Sequence, residues 1–335
     1  MLQQLKGSAI RAAMSRDWIV RLASRARAKD IAAGLDPQIA AALEYQRLAR
    51  LPALHTLDPA RARAFSEANL EAAELAPEPM AHVIDTTVGE GRIPVRIFEP
   101  HGAGSSWLVW LHGGGGVIGS INGSERICRY LASRTKLTVA SVGYRLAPED
   151  KHPASIDDAC AAWEALADRI PAGGRIAIGG DSWGGYLSAH VEHWARGAGV
   201  RQPDFQVLIY PAIDLRHLHP SVERLADGYL LTREMMDYFE DHTFEDSDDR
   251  YAASPISWAD DLAGTAPAIV VTAAFDPLVD EGDEWARRLE DADVPVRHLR
   301  YDSLVHGFIS LAGIVRAAHG AVDEICQAIV DAPSW

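Results

Sequence analysis

The chain has 335 residues, 48% of them hydrophobic and 24% charged, which suits one sizeable core with room for a smaller accessory part. A formal net charge of −15 repels phosphate backbones and argues against nucleic acid as a partner. Cys128, Cys160 and Cys326 are odd in number and far apart, so a disulfide framework is not expected and a reducing, cytoplasmic setting is; no apolar run reaches about 18 residues, so no integral membrane segment is expected either.

Met1 to Asp30 carries Lys6, Arg11, Arg16, Arg21, Arg25, Arg27 and Lys29 with apolar residues between them. Such an Arg-rich start can be an organelle-targeting segment, but it lacks the continuous apolar core of a secretory signal, and a solvated helix lying on the domain is the plainer expectation. Up to about Pro79 the chain is Ala-rich, with helical spacing broken at Pro37, Pro52, Pro59 and Pro77, and reads as several short helices.

From there strands and helices alternate. "HVIDTTV" and "IPVRIF" read as strands joined by the turn Gly89-Glu90-Gly91, and "SWLVWLH" as a strand ending at glycines. A helix over Glu125 to Thr135, the strand "LTVASVGY", a helix over Ile156 to Ala167 and the strand "RIAIGG" follow. Then come a helix over Gly184 to Arg196, "FQVLIYP", "APAIVVTAA", a helix through Arg287 and Leu289, "VRHLRY" and a terminal helix. This alternation predicts an α/β fold with a mostly parallel sheet flanked by helices. Residues 213–257, including "LLTREMMDYFEDH", hold no clear strand; a helical insertion there can fold over the carboxyl ends of the strands, where such sheets bind ligands.

Gly180-Asp181-Ser182-Trp183-Gly184 fits G-x-S-x-G between a strand and a helix. A sharp strand-to-helix turn projects the Ser182 hydroxyl, and small residues two places either side let neighbouring backbone pass. Upstream, His112 leads into Gly113-Gly114-Gly115-Gly116, whose unobstructed N–H groups suit an oxyanion hole; no lysine follows to make it a phosphate loop. A serine needs a base, and the base an orienting carboxylate, in the chain order Ser, Asp, His. Asp276, after "IVVTAAF", and His306, beyond "VRHLRY", each follow a late strand. Asp280 and Asp283 fall in the next helix and His298 within a strand, where packing is their expected role. His190 and His193, at i and i+3, lack a carboxylate cluster, so no metal is expected; no cofactor is expected either. Met235, Met236, Tyr229, Leu230, Leu231, Tyr238 and Phe239 can line an acyl pocket or simply pack.

With these motifs in place, the sequence resembles the hormone-sensitive-lipase-like branch of the α/β-hydrolases, the bacterial family IV esterases with an H-G-G-G motif. "HGGGGVIGS", "YRLAPEDKHPASIDDA", "GGDSWGG", "GYLLTREMMDYF", "DPLVDEGDEWARRLEDADVPV" and "HGF" fall in that family's order from roughly Val83 onward. The resemblance implies a triad of Ser182, Asp276 and His306. It implies oxyanion donors from the backbone of Gly113, Gly114 and Trp183, with His112 as a positioning residue and Tyr144 to Glu149 shaping the neighbouring loop. It implies a helical cap from residues 1–80 and 213–257 over a catalytic core of residues 81–212 and 258–335. It also implies short- to medium-chain carboxylic esters as small-molecule substrates, with a homodimer as a candidate assembly, for which the edge strand "VRHLRY" offers a pairing surface. An amidase or peptidase on the same scaffold is the alternative reading, and so is a non-catalytic ligand receptor, although receptors of this branch lack the working histidine.

Three positions depart from the family pattern: Gly116 where an aromatic is common, Trp183 where alanine is common, and His152 where phenylalanine is common. The first two are expected to be linked, the Trp183 indole filling the space an aromatic at 116 would occupy. The expected pocket residues are Gly116, Tyr229, Leu230 and Met235.

Overall fold

The structure, a computed structural model, describes residues 10–171 and 173–332; Lys6, part of the basic start, lies outside them. Helices α1 (Asp17–Ala23), α2 (Ala28–Ala32), α3 (Pro37–Leu48) and α4 (Pro59–Ala73) come first. The start of α3 is fixed locally: Asp36 accepts from the N–H groups of Gln38 and Ile39 at 2.7 and 3.2 Å, and Pro37 fills the first turn, where its missing N–H costs nothing.

Eight strands follow: β1 (His82–Val88), β2 (Ile93–Glu99), β3 (Trp107–Leu111), β4 (Thr138–Val142), β5 (Ile176–Asp181), β6 (Phe205–Ile209), β7 (Ala268–Phe275) and β8 (Val296–Val305). They form one sheet in the order β1-β2-β4-β3-β5-β6-β7-β8. The pairs β1–β2 and β2–β4 are antiparallel and the rest parallel. Both turn glycines before β2 take positive φ, as does Glu90 between them. The apolar runs of β4 and β6 are buried at every position, because helices cover both faces of a parallel sheet.

Interleaved with the strands are α5 (Glu125–Thr135), α6 (Ala154–Ala167), α7 (Trp183–Ala198), α8 (Pro220–Arg224), α9 (Arg233–Thr243), α10 (Val279–Asp291) and α11 (Arg316–Asp331). The stretch 213–257 holds α8 and α9 and no strand, as its sequence predicts. The sequence undercounts β8, which runs four residues past "VRHLRY". Its mixed burial hides it from a search for continuous apolar runs: β8 is an edge strand with one side unpaired.

Register does the positioning. β7 and β8 pair at Phe275 and Val305, so Asp276 and His306 leave adjacent strand ends together. β3 and β5 pair at Leu111 and Gly180, which sets the glycine run after β3 beside the bend after β5.

Candidate active site

The bend between β5 and α7 forces Ser182 to φ +54° and ψ −115°, a region non-glycine residues rarely occupy. Its N–H donates to Ile209 O on β6 at 2.8 Å, which holds the turn to the sheet. Two glycines allow the bend. A Cβ on Gly180 would lie 2.3 Å from Leu111 O, and one on Gly184 only 1.8 Å from the same atom.

Ser182 Oγ lies 2.9 Å from His306 Nε2, and His306 Nδ1 lies 2.7 Å from Asp276 Oδ2. The other oxygen of Asp276 accepts from Leu278 N–H at 2.8 Å, so this fully buried carboxylate is held from both sides. The Tyr210 ring lies against the His306 ring at 4.6 Å between centroids. The structure thus brings together all three residues chosen from chain order. The rivals are occupied elsewhere. Asp280 accepts from Ser221 N–H in α8 at 2.8 Å, and Asp283 takes the Thr272 hydroxyl at 2.7 Å and pairs with His298 and Arg300. His190 Nε2 donates to Ala253 O at 3.0 Å, and His193 stacks on Trp258; no group of three or more metal-ligand side chains occurs among the described residues.

The oxyanion expectation needs one correction. Gly113 N–H donates to Asp181 Oδ1 at 3.1 Å and is not free. The neighbouring N–H groups of Gly114, Gly115 and Trp183 have no acceptor in the protein among the described residues, and all three residues line the cavity at Ser182. Gly115 is the free N–H at the cavity that the sequence does not single out. A row of four glycines has no internal mark of which amide is spent; the mark is Asp181, inside the elbow motif itself. Burial pushes the Asp181 carboxyl up to about 6, and the Gly113 N–H counters part of that.

The loop has further supports. His112 is buried, and burial brings its imidazole down to about 4, so it is neutral and its Nδ1 contacts Gly113 O at 2.8 Å. The Tyr144 hydroxyl donates to His112 O at 2.6 Å while its ring stacks on the imidazole. From α4, Arg63 donates to Val117 O at 2.8 Å and Ala147 O at 2.7 Å and pairs with Glu149 at 2.6 Å. One guanidinium therefore ties the glycine loop, the segment after Tyr144 and an N-terminal helix together.

A cavity of about 1360 Å³ opens above Ser182 and His306. Tyr229, Leu230 and Met235 line it, with Leu231, Met236 and Phe239; Tyr238 does not, its ring being buried beside Val117 and Ile118. Residues of α1, α3 and α4, among them Val20, Leu43 and Phe65, close the other side. Gly116, expected in the pocket, is absent from its walls. It is buried, and a Cβ there would lie 3.1 Å from Trp183 Cε2, so the indole stands against it. The indole also stacks on Tyr186 at 4.1 Å and meets Phe244 edge-on, and Phe244 in turn meets His152. The three departures from the family pattern are thus one connected aromatic cluster around Trp183.

Residues 108–310 match a family described by the alpha/beta hydrolase fold. The chain is 36% identical to the carboxylic ester hydrolase LipN of Mycobacterium tuberculosis, over 88% of this chain and 82% of that protein. It is 33% identical to the ethyl acetate hydrolase of Pseudomonas putida, over 88% and 98%. Among solved structures, an alpha/beta hydrolase from the metagenome of Lake Arreo superposes with a TM-score of 0.85 at 35% identity, covering 90% of this chain and 99% of that one. A thermostable esterase of Pseudomonas putida gives 0.82 at 30%, covering 89% and 97%.

Proposed function

The chain belongs to the α/β-hydrolase family and is a carboxylic-ester hydrolase, and from that premise we propose that Ser182, His306 and Asp276 are its catalytic triad. The observation that carries this reading is the continuous chain of contacts from Ser182 Oγ through His306 to Asp276, at 2.9 and 2.7 Å. His306 Nε2 takes the Ser182 proton as Oγ attacks the ester carbonyl. The N–H groups of Gly114, Gly115 and, at the start of α7, Trp183 donate hydrogen bonds to the developing oxyanion, aided by the positive end of that helix. His306 then gives its proton to the departing alcohol. Water repeats the sequence on the acyl-enzyme and frees the acid. Asp276 keeps Nδ1 protonated and stabilises the imidazolium as it forms.

The substrates in this reading are short- to medium-chain carboxylic esters, held in the apolar cavity under a cap made of the N-terminal helices and residues 213–257. The work is cytoplasmic, in keeping with three cysteines that are buried and unpaired. No helix among the described residues is long and apolar enough to cross a membrane. A homodimer paired along the open edge of β8 completes the proposal, and sedimentation velocity decides it. For the chemistry, a p-nitrophenyl ester chain-length series on the wild type and Ser182→Ala, with fluorophosphonate labelling of both, is the test. The wild type turns over and labels; Ser182→Ala does neither while melting at the same temperature. Retained turnover in Ser182→Ala reassigns the nucleophile.

A further inference from the structure

The basic N-terminal segment takes no part in the chemistry, yet its helices form an outer wall of the same cavity. Residues 1–50 hold nine Lys or Arg against four Asp or Glu, in a chain whose total is −15. Helix α1 has two faces. Ile19, Val20 and Ala23 line the cavity, while Trp18 and Leu22, one turn apart, stand 64% and 55% exposed. Helix α3 packs on α1 and behaves likewise: Leu43 lines the cavity, and Tyr45 and Leu48 are 52% and 64% exposed. Tyr45 belongs to the cavity wall and to the outer surface, so the exposed apolar patch and the substrate space meet there.

The charges around that patch are one-sided. Asp17, Asp30 and Glu44 are taken by Arg316, Arg27 and Arg47. Arg16, Arg21, Arg25, Lys29 and Arg50 are exposed and have no ion pair among the described residues. Apolar side chains with aromatic rings at the centre and unmatched cations around them fit a layer with an apolar interior and anionic headgroups. A second copy of the same face fits poorly, because two such rings of positive charge repel.

We propose that the outer face of α1 and α3 docks on an anionic lipid surface, placing the cavity mouth against the layer from which apolar esters enter. Trp18 and Leu22 sink into the acyl boundary, and Arg21 and Arg25 sit at the phosphates. The proposal rests on reading the cavity as the substrate site, but its test does not depend on turnover.

The full chain is sedimented with vesicles of phosphatidylcholine alone and with one-third phosphatidylglycerol, alongside Ser182→Ala, Trp18→Ser/Leu22→Ser, Arg21→Glu/Arg25→Glu and Leu48→Ser. Wild type and Ser182→Ala bind the anionic vesicles alike, about tenfold more than the neutral ones. Each double variant loses that binding, and Leu48→Ser weakens it, while all three hydrolyse dissolved p-nitrophenyl butyrate at the wild-type rate. No vesicle binding, binding indifferent to phosphatidylglycerol, or binding unchanged in both double variants overturns the proposal. So does a wild-type dimer that the double variants convert to monomer, which would assign the face to a second copy. Loss of catalysis in Ser182→Ala with vesicle binding retained separates this test from that of the triad.

Discussion

At the floor of the cavity a Cβ on Gly184 would lie 1.8 Å from a backbone oxygen of β3, whereas on its roof Trp18 stands nearly two-thirds exposed. The floor is built from strand ends whose register decides where each reacting atom sits: Phe275 opposite Val305, Leu111 opposite Gly180. The roof is built from short helices joined by loops, with apolar residues on both of its faces. Chemistry needs reacting groups fixed within fractions of an ångström, and a parallel sheet supplies that. The wall facing the cavity is apolar instead, its inward side chains supplied by helices that are anchored in the core through Ile39, Ala40 and Leu43.

Substitutions at the floor are therefore expected to be far costlier than on the roof. Asp276→Asn keeps the acceptor for Leu278 N–H but not the charge facing His306; kcat on p-nitrophenyl acetate is expected to drop about 10⁴-fold with the melting temperature little changed. Gly184→Ala drives a methyl group into Leu111 O, and a loss on the order of 4 kcal/mol in urea unfolding, or failure to fold, is expected. A cycle of Gly116→Ala and Trp183→Ala probes the aromatic cluster between the two regions. Removing the indole relieves the contact but not the strain of φ +75° at residue 116, so a favourable coupling of about 1 kcal/mol is expected. Strict additivity would mean that the two positions do not communicate.

The joint between floor and roof offers a pH test. Glu281 is fully buried in α10 and accepts from Ile213 and Asp214 N–H at 2.7 and 3.2 Å, where residues 213–257 begin. Burial pushes its carboxyl up to about 8, with Asp214 and His219 nearby. The folded protein thus holds a proton that the unfolded chain releases near the usual carboxylate value, and stability falls as pH rises through that window. Glu281→Gln cannot ionise, so its melting temperature relative to wild type is expected to climb by roughly 2–4 °C from pH 5 to pH 8.5. The smallest effect belongs to the roof's outer surface, where Leu48→Ser is expected to change stability in buffer by less than about 0.5 kcal/mol.

The sequence was most legible where one residue type and one strand end determine the answer. Ser182, Asp276 and His306 stand out because each follows an apolar run and their order fits the chemistry. The free amides of the glycine row were less legible, because they are distinguished only by what their N–H groups meet, and Asp181 meets Gly113 from the neighbouring strand. Gly116 is hard to place for a similar reason: its departure from the family pattern in the glycine run does not say which side of the Trp183 indole it lies on. The length of β8 escaped because an edge strand with charged residues gives no continuous apolar signal.

Arg63 has a practical consequence. Because one side chain from the N-terminal helices grips carbonyls on both loops flanking the glycine run, trimming the first eighty residues would do more than unroof a binding space. A shortened chain would lose a brace on the glycine loop whose free N–H groups line the cavity at Ser182. Engineers seeking a more open variant for bulky esters would do better to shave side chains along α1 than to delete the segment wholesale.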